Sequence, residues 1–287
     1  MTTTPAPPHA PPERVLVLGG TGKTGRRVAA RLTDRDILIR IGSRTGHPPF
    51  DWNHEAGWDA CLDGVDAAYI TYAPDLAMPG ATDAIQAFVR RARHHDVRRL
   101  VLLSGRGEEE AQACERIVLN SGIDATVVRA SWFSQNFSSD GAFAEMVQAG
   151  RITLPAGDTP EPFVDAGDIA DVAVAALTGP GHVGEVIEVT GPELLTFAEA
   201  AAELSQATGR RIDYVQVPHD DFVEGARASG VPGDVVWMLD YLFATVLDGR
   251  NAYLTDGVER ALGRRPKRFA DYARDAAATG VWDPVTT

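Results

Sequence analysis

The sequence predicts an α/β fold: a doubly wound, mostly parallel sheet with a smaller C-terminal lobe. Two observations predict it. Residues 15–25 read Val-Leu-Val-Leu-Gly-Gly-Thr-Gly-Lys-Thr-Gly, an apolar run that ends in glycines at 19, 22 and 25 and leads into a helical pattern. Apolar strand-like runs then alternate with amphipathic stretches of ten or more residues, the pattern of βαβ units. The first strand is followed by a helix over 26–32, with Val28 and Leu32 on one face. Residues 37–41 read as a second buried strand, and 42–50 as a loop in which Pro48 and Pro49 exclude regular structure. A short helical piece at 58–62 precedes a strand at 65–70. Residues 81–95 have helical period, with Ala84, Ile85, Phe88 and Val89 on one side. Strand 99–103, helix 108–120 and strand 125–129 complete the regular alternation. It loosens beyond residue 135: helix at 168–177, strand at 185–189, helix at 196–208 opened by a capping box of Thr196 and Glu199, and strand at 212–217. The remainder is mostly helical, with Gly and Pro breaks.

The chain has 287 residues, 44% apolar and 23% charged, ordinary values for a globular protein. Residues 1–12, rich in Thr and Pro, read as a disordered leader without the apolar core of a secretory signal. Residues 13–287 form one domain, with 13–135 as a nucleotide-binding core and 136–287 as a mixed substrate lobe expected to cover the cleft. A net charge of −13 excludes a broad nucleic-acid surface. No run reaches the ~20 apolar residues of a membrane span. Cys61 and Cys114 lie far apart, outside any metal-ligand spacing, so reduced thiols and a cytoplasmic protein without metal are expected.

The glycine turn has a specific chemistry. Gly19 lets the chain leave the strand sharply, Gly22 has no Cβ to hold a phosphate away, and Gly25 lets the helix sit close to the sheet. With Thr21, Lys23 and Thr24, these residues make a pyrophosphate cradle at a helix N-terminus. A dinucleotide is the expected cofactor. The second strand ends in Ser43-Arg44, where NAD-binding sites usually carry a carboxylate. An arginine there offers a fork to a ribose 2′-phosphate, so NADPH is favoured over NADH; a surface arginine is the plain alternative.

Ligand in such a sheet lies outside the carboxyl ends of the strands. The third strand ends in Thr71-Tyr72, and the fourth in Ser104-Gly105-Arg106. Thr71 and Ser104 are cofactor-side candidates. Ser104 occupies the place of a substrate-binding serine in short-chain dehydrogenases, or else caps the next helix. Trp132, Phe133, Asn136 and Phe137 follow the fifth strand; with Tyr72 and Phe163 they line an apolar pocket or pack a core. Phe133 is also a candidate for contact with the cofactor.

These residues resemble the NmrA-like group of atypical short-chain dehydrogenases. The resemblance rests on Leu-Gly-Gly-Thr-Gly-Lys-Thr-Gly-Arg-Arg at 18–27, Arg44, Phe50-Asp51-Trp52, and Leu102-Leu103-Ser104. It continues in Ser-Gly-Ile-Asp-Ala-Thr-Val-Val-Arg at 121–129, Trp132-Phe133 with Asn136, and Pro162-Phe163 to Asp168-Ile169-Ala170. Gly191-Pro192-Glu193-Leu194-Leu195 and Gly249-Arg250-Asn251 complete it. Within the group the pattern is most similar to the festuclavine and agroclavine dehydrogenases of ergot alkaloid synthesis. That resemblance implies a Rossmann fold and a nicotinamide-dependent reductase of secondary metabolism acting on an imine or iminium. The same framework also serves quinone or enone reductases and non-catalytic dinucleotide-sensing regulators.

One absence is informative. Short-chain dehydrogenases carry Tyr-x-x-x-Lys on the helix after the Ser104 strand, but residues 105–116 contain neither tyrosine nor lysine. Reducing a ketone requires a proton or an oxyanion stabiliser, whereas hydride addition to an iminium yields a neutral amine without one. An aromatic or cationic small molecule is therefore the expected substrate. Ser104, Tyr72 and Glu108 are the candidate catalytic groups. The carboxylates of 108–110 either stabilise a cation or serve as ordinary first-turn acids.

Overall fold

The computed structural model describes residues 11–138 and 141–283. The first ten residues of the expected leader lie outside the described residues. The elements run β1 (Arg14–Leu18), α1 (Gly25–Thr33), β2 (Leu38–Gly42), α2 (Trp58–Leu62), β3 (Ala67–Ile70), α3 (Ala81–His94), β4 (Arg99–Gly105), α4 (Glu109–Leu119) and β5 (Asp124–Ala130). They continue with α5 (Ala144–Gln148), β6 (Arg151–Leu154), α6 (Ala166–Thr178), β7 (Val186–Val189), α7 (Phe197–Thr208), β8 (Asp213–Gln216), α8 (His219–Ala228), α9 (Gly233–Tyr241), α10 (Gly257–Leu262) and α11 (Phe269–Ala278).

Six strands form one sheet in the order β2-β1-β3-β4-β5-β7. The pairs β1–β2, β1–β3 and β3–β4 are parallel. Val15 to Leu18 of β1 are fully buried, as an unbroken apolar run between two neighbouring strands requires. The expectation that β2 is buried is corrected. It is the sheet edge, and Leu38 is 58% exposed.

The chain divides into two units, neither continuous in sequence. The first contains residues up to 104, 110–128 and 170–187; the second contains 105–109, 129–169 and 188 onward. Most of α6 and the start of β7 thus belong with the glycine turn. The core of the first unit joins Leu16, Leu18, Ile70, Leu100 and Leu102 of the sheet to Ile85 and Phe88 of α3 and Val118 of α4. Arg31 of α1 pairs with Asp171 of α6.

The second unit has an aromatic core. Phe163 meets Phe197 edge-on at 5.1 Å, and Phe137 lies 5.5 Å from Phe269. Helix α7 opens on the capping box expected from the sequence, with the Glu199 N–H donating to Thr196 Oγ1 at 3.1 Å and Glu199 Oε2 accepting from the Thr196 N–H at 2.8 Å. The strand at 212–217 is β8, whose partner β6 had no sequence signal. They make a separate parallel pair, with Ile152 opposite Tyr214.

Candidate functional site

In the first unit the glycine turn has the geometry its residues dictate. Gly19 has φ +62°, and its N–H donates to Gly42 O at 3.0 Å. A Cβ on Gly19 would lie 2.3 Å from Thr71 Oγ1, whose hydroxyl donates to Leu18 O at 3.1 Å. Thr71 thus locks the tip of β1 to the tip of β3. A Cβ on Gly25 would lie 2.2 Å from Gly19 O, so the first turn of α1 packs directly on the loop backbone. Gly22 is different. It is exposed, and a Cβ there would meet only Gly19 O, at 3.2 Å. The fold requires glycine at 19 and 25 far more than at 22.

Helix α1 has no acidic residue in its first turn and no side-chain cap. Its N-terminal partial charge is therefore not compensated from within the helix, as an anion site needs. Thr24 is buried, Thr21 is exposed and Lys23 is half-buried. Arg44 is exposed and makes no ion pair among the described residues; Ser43 beside it is half-buried. The Asn53 N–H, His54 and, more weakly, Arg44 hold the Asp51 carboxyl below the usual carboxylate range.

Tyr72 is half-buried, its ring 5.0 Å from Trp52, and burial raises its phenol above the ordinary value. Trp52 is fixed there by its indole N–H, which donates to Thr71 O at 3.0 Å. Ser104 is buried and donates to Glu115 Oε1 at 2.7 Å. Its proton goes to Glu115 within α4, where the expectations were a substrate-binding serine or a cap of that helix.

In the second unit the pocket-lining expectation is corrected for three aromatics. Phe137 is fully buried, Phe163 is 2% exposed and Trp132 is 9% exposed, and all three belong to the aromatic core. Burying that much ring surface outweighs leaving it open for a ligand. Phe133 and Asn136 alternate with the buried positions and stay half-exposed. Glu108 is buried, folded so closely over Gly105 that a Cβ there would lie 2.0 Å from its Oε1. Glu109 and Glu110 are exposed.

Sequence reading passed over Arg106 as a functional centre. Its side chain is 1% exposed and donates to Ser131 Oγ at 2.8 Å, with Nε 3.4 Å from Glu188 Oε2. Its guanidinium lies 4.3 Å from the centroid of the Tyr253 ring. Gly249-Arg250-Asn251 is the strap over this arginine. Asn251 donates to Arg106 O at 3.2 Å, and Arg250 donates to Gly107 O at 3.0 Å. The signal in the sequence was the arginine following a strand tip; its partners lie between 25 and 147 residues away.

Glu161 is a second group that the sequence did not reveal. It is fully buried, and neither carboxyl oxygen has a hydrogen-bond partner. Burial pushes its pKa up to about 7 against the pull of Arg106, with Asp248 adding to the rise. Among the described residues, no group of three or more His, Cys, Asp or Glu side chains is placed to hold a metal ion. No helix among them is long and apolar enough to cross a membrane.

The parallel sheet and the glycine turn define a Rossmann-type nucleotide-binding protein. The chain belongs to the NmrA-like family, whose model matches residues 110–268. Agroclavine dehydrogenase from Claviceps fusiformis is 30% identical over 91% of this chain and 96% of that enzyme. A (4-alkanoyl-5-oxo-2,5-dihydrofuran-3-yl)methyl phosphate reductase from Streptomyces griseus is 32% identical over 92% of this chain and 98% of its own length. Among solved structures, an NADPH-dependent quinone oxidoreductase from Escherichia coli, complexed with NADPH, shares the fold. Its TM-score is 0.76 at 20% identity, over 91% of this chain and 99% of that one.

Proposed function

We propose that the protein is an NADPH-dependent reductase that delivers hydride to an imine, an iminium or a similarly electrophilic small molecule. The observation that carries this reading is Gly22: an exposed glycine with little steric need for being one, where an added Cβ would occupy the space a pyrophosphate takes. Gly22, Thr21 and the first turn of α1 would hold the pyrophosphate, with Ser43 and Arg44 on the ribose 2′-phosphate. When bound, the reduced nicotinamide supplies the hydride. The chain's contribution is positioning and exclusion of water.

Cofactor choice follows from Arg44. NADPH is expected to bind more tightly than NADH, and Arg44→Ala to weaken NADPH selectively by roughly 1.5–3 kcal/mol, the worth of a charge-assisted hydrogen bond. Calorimetric titration with both nucleotides checks this; equal affinities in the native protein would remove the assignment.

The absence of Tyr-x-x-x-Lys after Ser104 favours an acceptor that carries its own positive charge. If the productive species is the protonated imine, single-turnover rates fall as pH rises through the substrate's pKa. That midpoint should move between two imines of different basicity. A shared midpoint, or fast turnover of simple ketones with no imine activity, would contradict the iminium reading. A second reading is favoured by the Streptomyces relative, whose named substrate is an oxo-dihydrofuran. NADPH oxidation against cyclic imines, quinones and enones decides between the two.

A further inference from the structure

Arg44 sits on a loop of the first unit whose two ends are tied to different strand tips. At its start, Gly42 O accepts the Gly19 N–H at 3.0 Å, which joins the tip of β2 to the glycine turn. The loop then closes on itself: Ser43 O accepts from the N–H groups of Gly46 at 3.0 Å and Phe50 at 2.9 Å. Phe50 is 4% exposed, so the closing end is anchored in the core while Arg44 stays in solvent. A tight turn follows, in which Asp51 O accepts from the His54 N–H at 3.1 Å and from the Trp58 indole at 2.8 Å. These bonds hold the segment to itself and to α2.

Trp52, inside that turn, reaches the sheet. Its indole N–H donates to Thr71 O at 3.0 Å, at the tip of β3. The same Thr71 sends its hydroxyl to Leu18 O at 3.1 Å and packs against Gly19, where a Cβ would lie 2.3 Å from Oγ1. Thr71 thus joins the far end of the Arg44 loop to the start of the pyrophosphate turn. Phe50 meets the Trp52 ring edge-on at 5.0 Å and Phe88 at 5.7 Å, so packing and the hydrogen bond together fix the indole. The Asp51 carboxyl beside it is lowered by the Asn53 N–H, by His54 and, last, by Arg44, which puts that guanidinium within electrostatic reach of the turn.

A dinucleotide with a ribose 2′-phosphate needs two anion sites at a set separation, one for the pyrophosphate and one for the 2′-phosphate. A loop arginine must be ordered before it can serve the second, and that cost shrinks when the loop is already fixed. We propose that Trp52 is a positioning residue for cofactor specificity: through Thr71 it fixes the Arg44 loop against the glycine turn and so raises the affinity for NADPH over NADH. The proposal rests on the reading above, in which the glycine turn holds the pyrophosphate and Arg44 the 2′-phosphate.

The test is calorimetric titration of wild type, Trp52→Phe, Thr71→Val and Phe88→Leu with NADPH and with NADH. Trp52→Phe keeps a ring in the cluster and loses the N–H. Its NADPH affinity should fall roughly five- to tenfold while its NADH affinity stays within about twofold of wild type. Thr71→Val keeps the carbonyl that receives the indole but loses the hydroxyl bond beneath the pyrophosphate turn. Both nucleotides should weaken alike, leaving their ratio unchanged. Phe88→Leu thins the same aromatic cluster and removes no hydrogen bond of the loop; it should lower the melting temperature and leave the ratio unchanged. If Trp52→Phe does not fold, replacing Trp52 by benzothienylalanine, an isostere with sulfur in place of the N–H, should give the same change of ratio. An equal loss on both nucleotides would mean that Trp52 acts on a part they share, and would overturn the proposal. If wild type binds neither nucleotide, or both equally, the nucleotide reading fails and this proposal with it. A wild type that prefers NADPH, with a Trp52→Phe variant of the same preference, leaves Arg44 standing and removes Trp52 alone.

Discussion

Gly22→Ala is expected to leave the protein folded and to lower its affinity for NADPH by a hundredfold or more, about 2.7 kcal/mol. Gly25→Ala is expected to damage the fold itself. The difference lies in what each new methyl group would meet. At Gly25 the Cβ would sit 2.2 Å from Gly19 O and 2.9 Å from Gly20 Cα, backbone atoms that cannot swing aside. Such overpacking costs about 1–3 kcal/mol or more, and here it would also push α1 off the sheet. At Gly22 the single neighbour is Gly19 O at 3.2 Å, a contact relieved by a shift of a few tenths of an ångström. Thermal denaturation and calorimetric titration of both variants separate the effects. Normal NADPH binding by Gly22→Ala would make the turn structural and remove the basis of the reductase reading.

Residues in local patterns were legible in the sequence. The strand, glycine turn and helix at 15–32, the alternation through β5 and the Thr196–Glu199 box are all set by neighbours within a few positions, and they form as expected. The edge position of β2 was not legible, because an apolar strand run looks the same whether one neighbour or two flank it. Strand β6 escaped because its four residues, Arg-Ile-Thr-Leu, are too few to show a period, and its partner lies some sixty residues later. The aromatics at 132–137 show a different limit. Sequence placed them just after a strand tip, but only the packing of Phe143, Phe197 and Phe269 around them makes Phe137 core. Arg106 carried only its place after a strand tip as a signal, and Glu161 carried none. Their significance depends on partners, or on the lack of them, supplied by distant segments.

Glu161 leads to the second large expectation, a stability that falls with pH in a defined window. An isolated glutamate ionises near 4.5, while burial raises Glu161 to about 7 in the folded chain. Below pH 4.5 the carboxyl is protonated in both states and costs nothing on this account. Between about 4.5 and 7 the unfolded chain releases the proton and the folded chain keeps it, so stability falls as pH rises. Above about 7 both states are ionised and the loss levels off at about 3 kcal/mol, the free-energy equivalent of the shift. Glu161→Gln removes the ionisation while keeping the shape. Its amide, also buried, adds an offset that does not depend on pH. The expected result is therefore a difference in unfolding free energy between Glu161→Gln and wild type that grows in favour of the variant from pH 4.5 to 7.5. Urea denaturation of both proteins across that range measures it. A difference that stays constant with pH would show that Glu161 ionises normally in the folded chain, through a partner that burial alone does not reveal.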